Sequence, residues 1–159
     1  MTWTPDVTVA AVAAREGRFL LIEERIQGAL VLNQPAGPVE AGETLLEAVV
    51  REAREESAWR FVPQHLLGIY HWRNPASGRE FLRFAFAGTV DEHDPRRKLD
   101  EGIVRTLWLD RTEIKAREAR LRSPVVLRCV EDYLRGQRLP LETVATLDRD
   151  AARRVRAVV

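Results

Sequence analysis

Three glutamates, Glu52, Glu55 and Glu56, fall at i, i+3 and i+4 in the string Arg51-Glu52-Ala53-Arg54-Glu55-Glu56. On a helix advancing about 100° per residue they share one face. Like charges at that spacing repel by about 0.2–0.5 kcal/mol per pair, so the cluster is unfavourable unless a cation lies over it. Hard divalent ions are the natural candidates. Mg²⁺ prefers carboxylate and water oxygens and bridges to substrate phosphates that such an acidic face would otherwise repel, and Mn²⁺ takes the same donors. The chemistry suggested is metal-assisted attack on a phosphate group. A solvated acidic face, with Arg51 and Arg54 balancing the charge, accounts equally for the spacing.

The element that must position these carboxylates is a helix over Leu45–Ser57, a run free of Gly and Pro, with Thr44 as its cap and Glu47 three residues later. Leu46, Val49, Val50 and Ala53 give it an apolar stripe beside the glutamates. The Gly/Pro-rich string Gly37-Pro38-Val39-Glu40-Ala41-Gly42 before it reads as a loop.

Gly37, five residues, Glu43, seven residues, then Arg51-Glu52-Ala53-Arg54-Glu55-Glu56 resembles the Nudix hydrolase box. The resemblance implies an α/β class fold, an α/β/α sandwich with a mixed sheet and the box as loop-helix-loop. It also implies cation-dependent hydrolysis of phosphoanhydrides in nucleoside diphosphates linked to another group. Glu52, Glu55 and Glu56 take the positions of the family's metal-binding glutamates, and Glu52 is at times the base instead. Arg51 takes the position that orients the glutamates, Glu43 that of a support for loop and helix, and the Gly37 carbonyl that of a further ligand. The family's glycine after the second glutamate pair is Ala58 here, followed by Trp59. Ala in a left-handed exit costs on the order of 1 kcal/mol, so a remodelled helix end is expected.

Strands are expected at Val7–Ala14 and Phe19–Ile22, with Glu23-Glu24-Arg25 ending the second as a surface charge group. Ala29–Leu32 delivers Asn33-Gln34-Pro35-Ala36 into the box. Pro63 is expected to break the chain before a strand over Leu66–Trp72, which turns at Asn74–Gly78 and returns over Glu80–Ala87. On the return strand Arg83 alternates away from Leu82, Phe84 and Phe86, placed either to reach a phosphate or to sit as a surface cation. Trp72 or Tyr70 is suited to stack on a substrate base, or simply to pack, and His71 faces the side opposite Trp72.

Asp91–Glu101 is a charged loop without periodicity and the segment expected to be most mobile. Ile103–Leu109 makes a last strand, and Asp110 starts a short helix with Glu113. The family often places a further glutamate before this strand as ligand or base; Glu101, with Asp100 beside it, comes nearest. Ser123 caps and Pro124 opens another helix whose apolar face is Val125, Val126, Cys129, Val130, Tyr133 and Leu134, stopped by Gly136.

The strings Asn33-Gln34-Pro35-Ala36-Gly37, Phe81-Leu82-Arg83-Phe84, Leu121-Arg122-Ser123-Pro124 and Gly136-Gln137-Arg138-Leu139-Pro140-Leu141-Glu142 resemble the NudJ-type subgroup of that family. The subgroup implies removal of terminal phosphate from nucleoside tri- and diphosphates and from thiamine-precursor pyrophosphates. Two other readings stay open: a Nudix pyrophosphatase cutting an internal bond, as in ADP-ribose or a dinucleotide, and a silent nucleotide- or RNA-binding module.

The chain's 159 residues, 45% hydrophobic and 31% charged, suit one domain over residues 1–159. A net charge of +1 gives no reason for a nucleic-acid or membrane partner; the small-molecule phosphoanhydride partner is what the resemblance implies. The single cysteine, Cys129, rules out an intramolecular disulfide and reads as a small core residue. With no long apolar run or signal, a cytoplasmic protein is expected. Arg149, Arg153, Arg154 and Arg156 lie in a tail from Asp148 that is expected to be a frayed basic helix.

Overall fold

In the computed structural model, residues 1–148 are described; the arginine-rich tail lies outside them. The strands are β1 (Asp6–Arg15), β2 (Arg18–Ile26), β3 (Ala29–Asn33), β4 (Ala36–Pro38), β5 (Arg60–Arg73), β6 (Glu80–Asp91) and β7 (Ile103–Leu109), and the helices α1 (Leu45–Ser57), α2 (Arg111–Ala116) and α3 (Pro124–Leu134).

The sheet runs β3-β2-β1-β6-β5, with β4 also on β1 and β7 on β2. It is mixed: β1 pairs parallel with β6, while β5 runs antiparallel to β6. Val9 to Ala13 are at most 1% exposed, which explains the unbroken apolar run of β1: both of its faces are covered. On one face Val49 and Ala53 of α1 pack with Val9, Ala11 and Phe86; on the other, Val126, Cys129 and Val130 of α3 pack with Ala10, Val12 and Leu21. The result is the α/β/α sandwich expected. No helix among the described residues is long and apolar enough to cross a membrane.

Several boundaries differ from expectation. β2 continues through Glu23 and Glu24 to Ile26, and Glu23 is buried at 3% exposure between Arg105 and Arg120. The surface reading of this charge group fails because both arginines come from distant segments. Pro63 does not break the chain; it sits buried within β5 opposite Gly88, where the register shifts before His65. Leu134 is 52% exposed and lies outside the α3 apolar face, whereas Asp132 is fully buried. Its carboxylate accepts from the Tyr70 hydroxyl at 2.8 Å and from Arg128 and Arg135.

Candidate active site

α1 forms where its sequence says it should. Thr44 accepts from the Glu47 N–H, and the Glu47 carboxylate accepts from the Thr44 N–H, closing a capping box. At the other end Ala58 takes the left-handed conformation, φ 61°, with its N–H on the Arg54 carbonyl. The exit is therefore kept rather than remodelled, with alanine standing in the conformation glycine adopts without strain. Trp59 helps hold it: its ring stacks on His93 at 4.5 Å and lies under the Arg15 guanidinium, which also covers Trp108.

Arg51 is the hub of the acidic face. Its guanidinium donates to Glu43 at 2.6 and 3.0 Å, to Glu52 at 2.7 Å, to Glu55 at 3.1 Å and to the Pro38 carbonyl at 3.0 Å. Arg51 thus joins Glu43 before the helix to Glu52 and Glu55 on it. Glu43 also accepts from the Glu40 N–H and so ties the loop to the helix. The Arg51 hydrogen bond holds the Glu43 carboxyl below the usual carboxylate range, against the opposing effect of burial.

Glu56 behaves differently. It is 8% exposed, and its carboxylate accepts from the Ala36 N–H at 2.9 Å. Burial pushes its pKa up to about 9 against that hydrogen bond, and the charges of Glu52, Glu24 and Asp100 push the same way. Burial likewise raises Glu52, against Arg51. Gly37 lies directly over the Glu52 carboxylate: a Cβ there would stand 2.3 Å from it, so only glycine lets the loop backbone approach this closely.

Glu52 and Glu55 are turned to Arg51 and Glu56 to Ala36, so no three carboxylates converge as ready ligands among the described residues. The donor set nevertheless fits a hard divalent ion. It is all oxygen, partly buried, and carries more negative charge than Arg51 offsets, the condition under which buried carboxylates are otherwise driven to take up protons.

The loop after β6 is fastened to the end of α1. Asp94 N–H donates to the Ala58 carbonyl, Asp100 N–H to the Glu55 carbonyl, and Arg54 reaches the Glu92 carbonyl. Both of its terminal acids are exposed, and Asp100 is the one whose charge acts on Glu52 and Glu56.

Beside the box, Gly37 and Ala36 form the lip of a chamber of about 220 Å³. Trp72 and Phe81 stack at 5.5 Å and 25° on its wall, so Trp72 both packs and faces the cavity. Arg83 reaches the same chamber and is no surface cation. It donates at 3.3 Å to Asn33 Oδ1 and to Gln34 Oε1, and burial lowers its pKa. Gln34 is itself fixed by its bond to the Val126 carbonyl. The described contacts of Arg83 thus include neutral acceptors but no carboxylate ion pair.

Glu24 and Arg122 also line the chamber, and sequence reasoning missed both. No local signal marks Glu24: Phe19 to Glu23 are buried without alternation, and the β2–β7 register shifts between Glu23 and Glu24.

A sandwich whose sheet opens onto a glutamate-bearing loop-helix-loop defines a hydrolase of phosphoanhydrides. Residues 3–129 match the NUDIX domain, and the chain belongs to the Nudix hydrolase family. It is 42% identical over 140 residues to Phosphatase NudJ of Escherichia coli strain K12 and of Shigella boydii, spanning 88% of this chain and 90% of each relative. A NUDIX hydrolase from Nitrosomonas europaea superposes with a TM-score of 0.89 at 47% identity, covering 92% of this chain and 99% of that one. The MutT protein of Methanosarcina mazei Go1 superposes at 0.69 with 25% identity, covering 86% of this chain and 98% of that one.

Proposed function

We propose that the protein removes the terminal phosphate from nucleoside tri- and diphosphates and from thiamine-precursor pyrophosphates, in the cytoplasm, with Mg²⁺ as its ion and Mn²⁺ as a substitute. The observation that carries this reading is the adjacency, across Gly37 and Ala36, of the buried Glu52–Glu56 face and a chamber holding a guanidinium with no carboxylate partner described. Such a guanidinium is suited to a phosphate oxygen, which it binds with charge-assisted hydrogen bonds. The likeness to the NudJ phosphatases supports terminal over internal cleavage.

Glu52, Glu55 and Glu56 would hold the ion, with the Gly37 carbonyl available beside Glu52. When bound, it supplies neutralisation of phosphate oxygens and polarisation of the scissile anhydride. Arg51 keeps Glu52 and Glu55 in place and offsets part of their charge before substrate arrives. Arg83 steadies the phosphates, and Trp72 gives the organic group a flat surface. For the base that takes the proton of the attacking water, Glu52 and Glu101 are joined by Asp100, whose charge already reaches the glutamates.

Phosphate release from nucleoside tri- and diphosphates, thiamine diphosphate and its pyrimidine precursor, ADP-ribose and diadenosine polyphosphates, with Mg²⁺, tests the reading. Orthophosphate as the product is expected. Two phosphate monoesters from ADP-ribose or the dinucleotide would establish internal cleavage, and binding without turnover would make the protein a sensor.

A further inference from the structure

Three charged side chains line the chamber: Glu24, Arg83 and Arg122. They act as one electrostatic group. Glu24 feels both arginines, Arg83 feels Glu56, Arg122 and Glu24, and the charge of Glu24 also reaches Glu56. In the wall itself two cations therefore face one carboxylate, and the two guanidiniums repel each other. An anionic ligand offsets both the surplus and the repulsion.

The backbone of Arg122 is fixed. Its N–H donates to the Leu32 carbonyl at 2.8 Å, beside the Leu32–Leu121 bridge, and the next residue, Ser123, caps α3. Its side chain is 38% exposed and makes no hydrogen bond among the described residues. The nearest opposite charge is Glu24 Oε1, 3.8 Å from Nε, a distance that exceeds a hydrogen bond. Glu24 thus approaches on the Nε side, and both Nη groups are without a partner among the described residues. Arg83, by contrast, is already held by Asn33 and Gln34.

The terminal phosphate belongs with the ion over the Glu52–Glu56 face, so a substrate with no other phosphate would leave the surplus cation of the chamber unmet. In a phosphoanhydride the group joined to the terminal phosphate is a second phosphate. The chamber begins at Gly37, beside Glu52, and so receives that group first. A guanidinium matches two oxygens of one phosphate with parallel hydrogen bonds.

We propose that Arg122 is a specificity-determining residue that donates through its Nη groups to the phosphate retained by the organic product. This inference rests on the phosphoanhydride reading of the site. Its consequence is a preference for anhydrides over monoesters, which have no second phosphate to offer.

Binding tests this without turnover. Methylenediphosphonate, a pyrophosphate with a methylene group in place of the bridging oxygen, is titrated calorimetrically into the full chain with Mg²⁺ in excess. The wild type should bind it, and Arg122→Gln should weaken binding by about 10- to 100-fold, the range for a hydrogen bond to a charged group. Arg122→Lys, which restores the charge without the fork, should recover part of that loss. Methylphosphonate, measured by competition, should lose less in Arg122→Gln than the diphosphonate does. An equal loss would put Arg122 on the terminal phosphate and overturns the assignment. Absence of wild-type binding, or equal diphosphonate affinity in wild type and Arg122→Gln, also overturns it and leaves Arg122 as a partner of Glu24 alone. So does a loss that lysine does not relieve, because the side chain is then a packing element and not an anion contact. If Arg122→Gln does not fold, the wild type decides: modification of Arg122 by phenylglyoxal, read by mass spectrometry against other exposed arginines, should be slowed by the diphosphonate, and an unchanged rate overturns the contact. Phosphate release is assayed separately: its absence would sink the hydrolase reading while the diphosphonate affinities still report on Arg122.

Discussion

At the scale of the residue, the glutamates of α1 have divided their work. Glu52 and Glu55 share Arg51, while Glu56 is buried alone against a backbone N–H. Glu56→Gln should therefore lower phosphate release by about 100-fold or more, several kcal/mol of charge stabilisation being lost at about 1.4 kcal/mol per factor of ten. Its melting temperature without Mg²⁺ should not fall, because the buried amide carries no charge to desolvate. A near-normal rate at limiting Mg²⁺ would remove Glu56 from the ligand set. Away from the site, Glu80 answers to pH. The His71 hydrogen bond first, then Trp3 and Arg73, hold its carboxyl at about 2, below its ordinary 4.5. A depressed folded pKa means that the folded chain sheds this proton more readily than the unfolded one. The stability gained is thus complete above pH 4.5 and lost as pH falls toward 2. Thermal melts of wild type and Glu80→Gln should differ at pH 6 and draw together between pH 4.5 and pH 2; a constant gap would discount the cluster.

At the scale of the element, the end of α1 keeps a strained alanine. Ala58 at φ 61° should be improved by Ala58→Gly, raising stability by about 0.5–1 kcal/mol in chemical denaturation, since relief of the left-handed strain exceeds the added freedom of the unfolded chain. A loss of stability would mean that its Cβ contributes packing worth more than the strain. The helix itself was legible to the residue: Thr44, Glu47 and the apolar stripe act within one or two turns, and Leu45–Ser57 is both the expected and the observed span. The cap of α2 on Asp110 was legible for the same reason. Strand ends were not. Glu23 and Glu24 look like a surface stop because nothing local shows that Arg105 and Arg120 will enclose one and the chamber the other. Pro63 reads as a break because the accommodating irregularity depends on Gly88, a partner from another strand. The box glutamates could be found from spacing, but the free side of Arg83 and the nearness of Asp100 are products of packing across the sheet.

At the scale of the whole molecule, the two faces of the sheet serve different ends: α1 carries the acids and α3 closes the chamber from the other side. α3 is secured by Asp132, buried and shared between the Tyr70 hydroxyl of β5 and two arginines of its own neighbourhood. Asp132→Asn takes away the charge that Tyr70, Arg128 and Arg135 share, but both arginines are more than half exposed and stay hydrated, so the cost in urea unfolding should be about 1–2 kcal/mol, mainly from the buried hydrogen bonding, with the Mg²⁺ requirement unchanged. A change below the error of the measurement would show that solvent already compensates the arginines. The parallel pairing of β1 with β6 has a further consequence, in time rather than in space. β1 finds its central partner only when Thr8 meets Arg83 and Ala13 meets Gly88, and the Arg15 side chain reaches the Val90 carbonyl across a separation of 75 residues. Closing so distant a pairing is entropically slow, and little local contact rewards the early steps. On the ribosome β1 and the acidic helix are therefore both made before β6 and β5 can complete the surface that α1 packs on. The last strand of that surface to be made is β6, and its pairing with β1 is the step that brings the two ends of the sheet together.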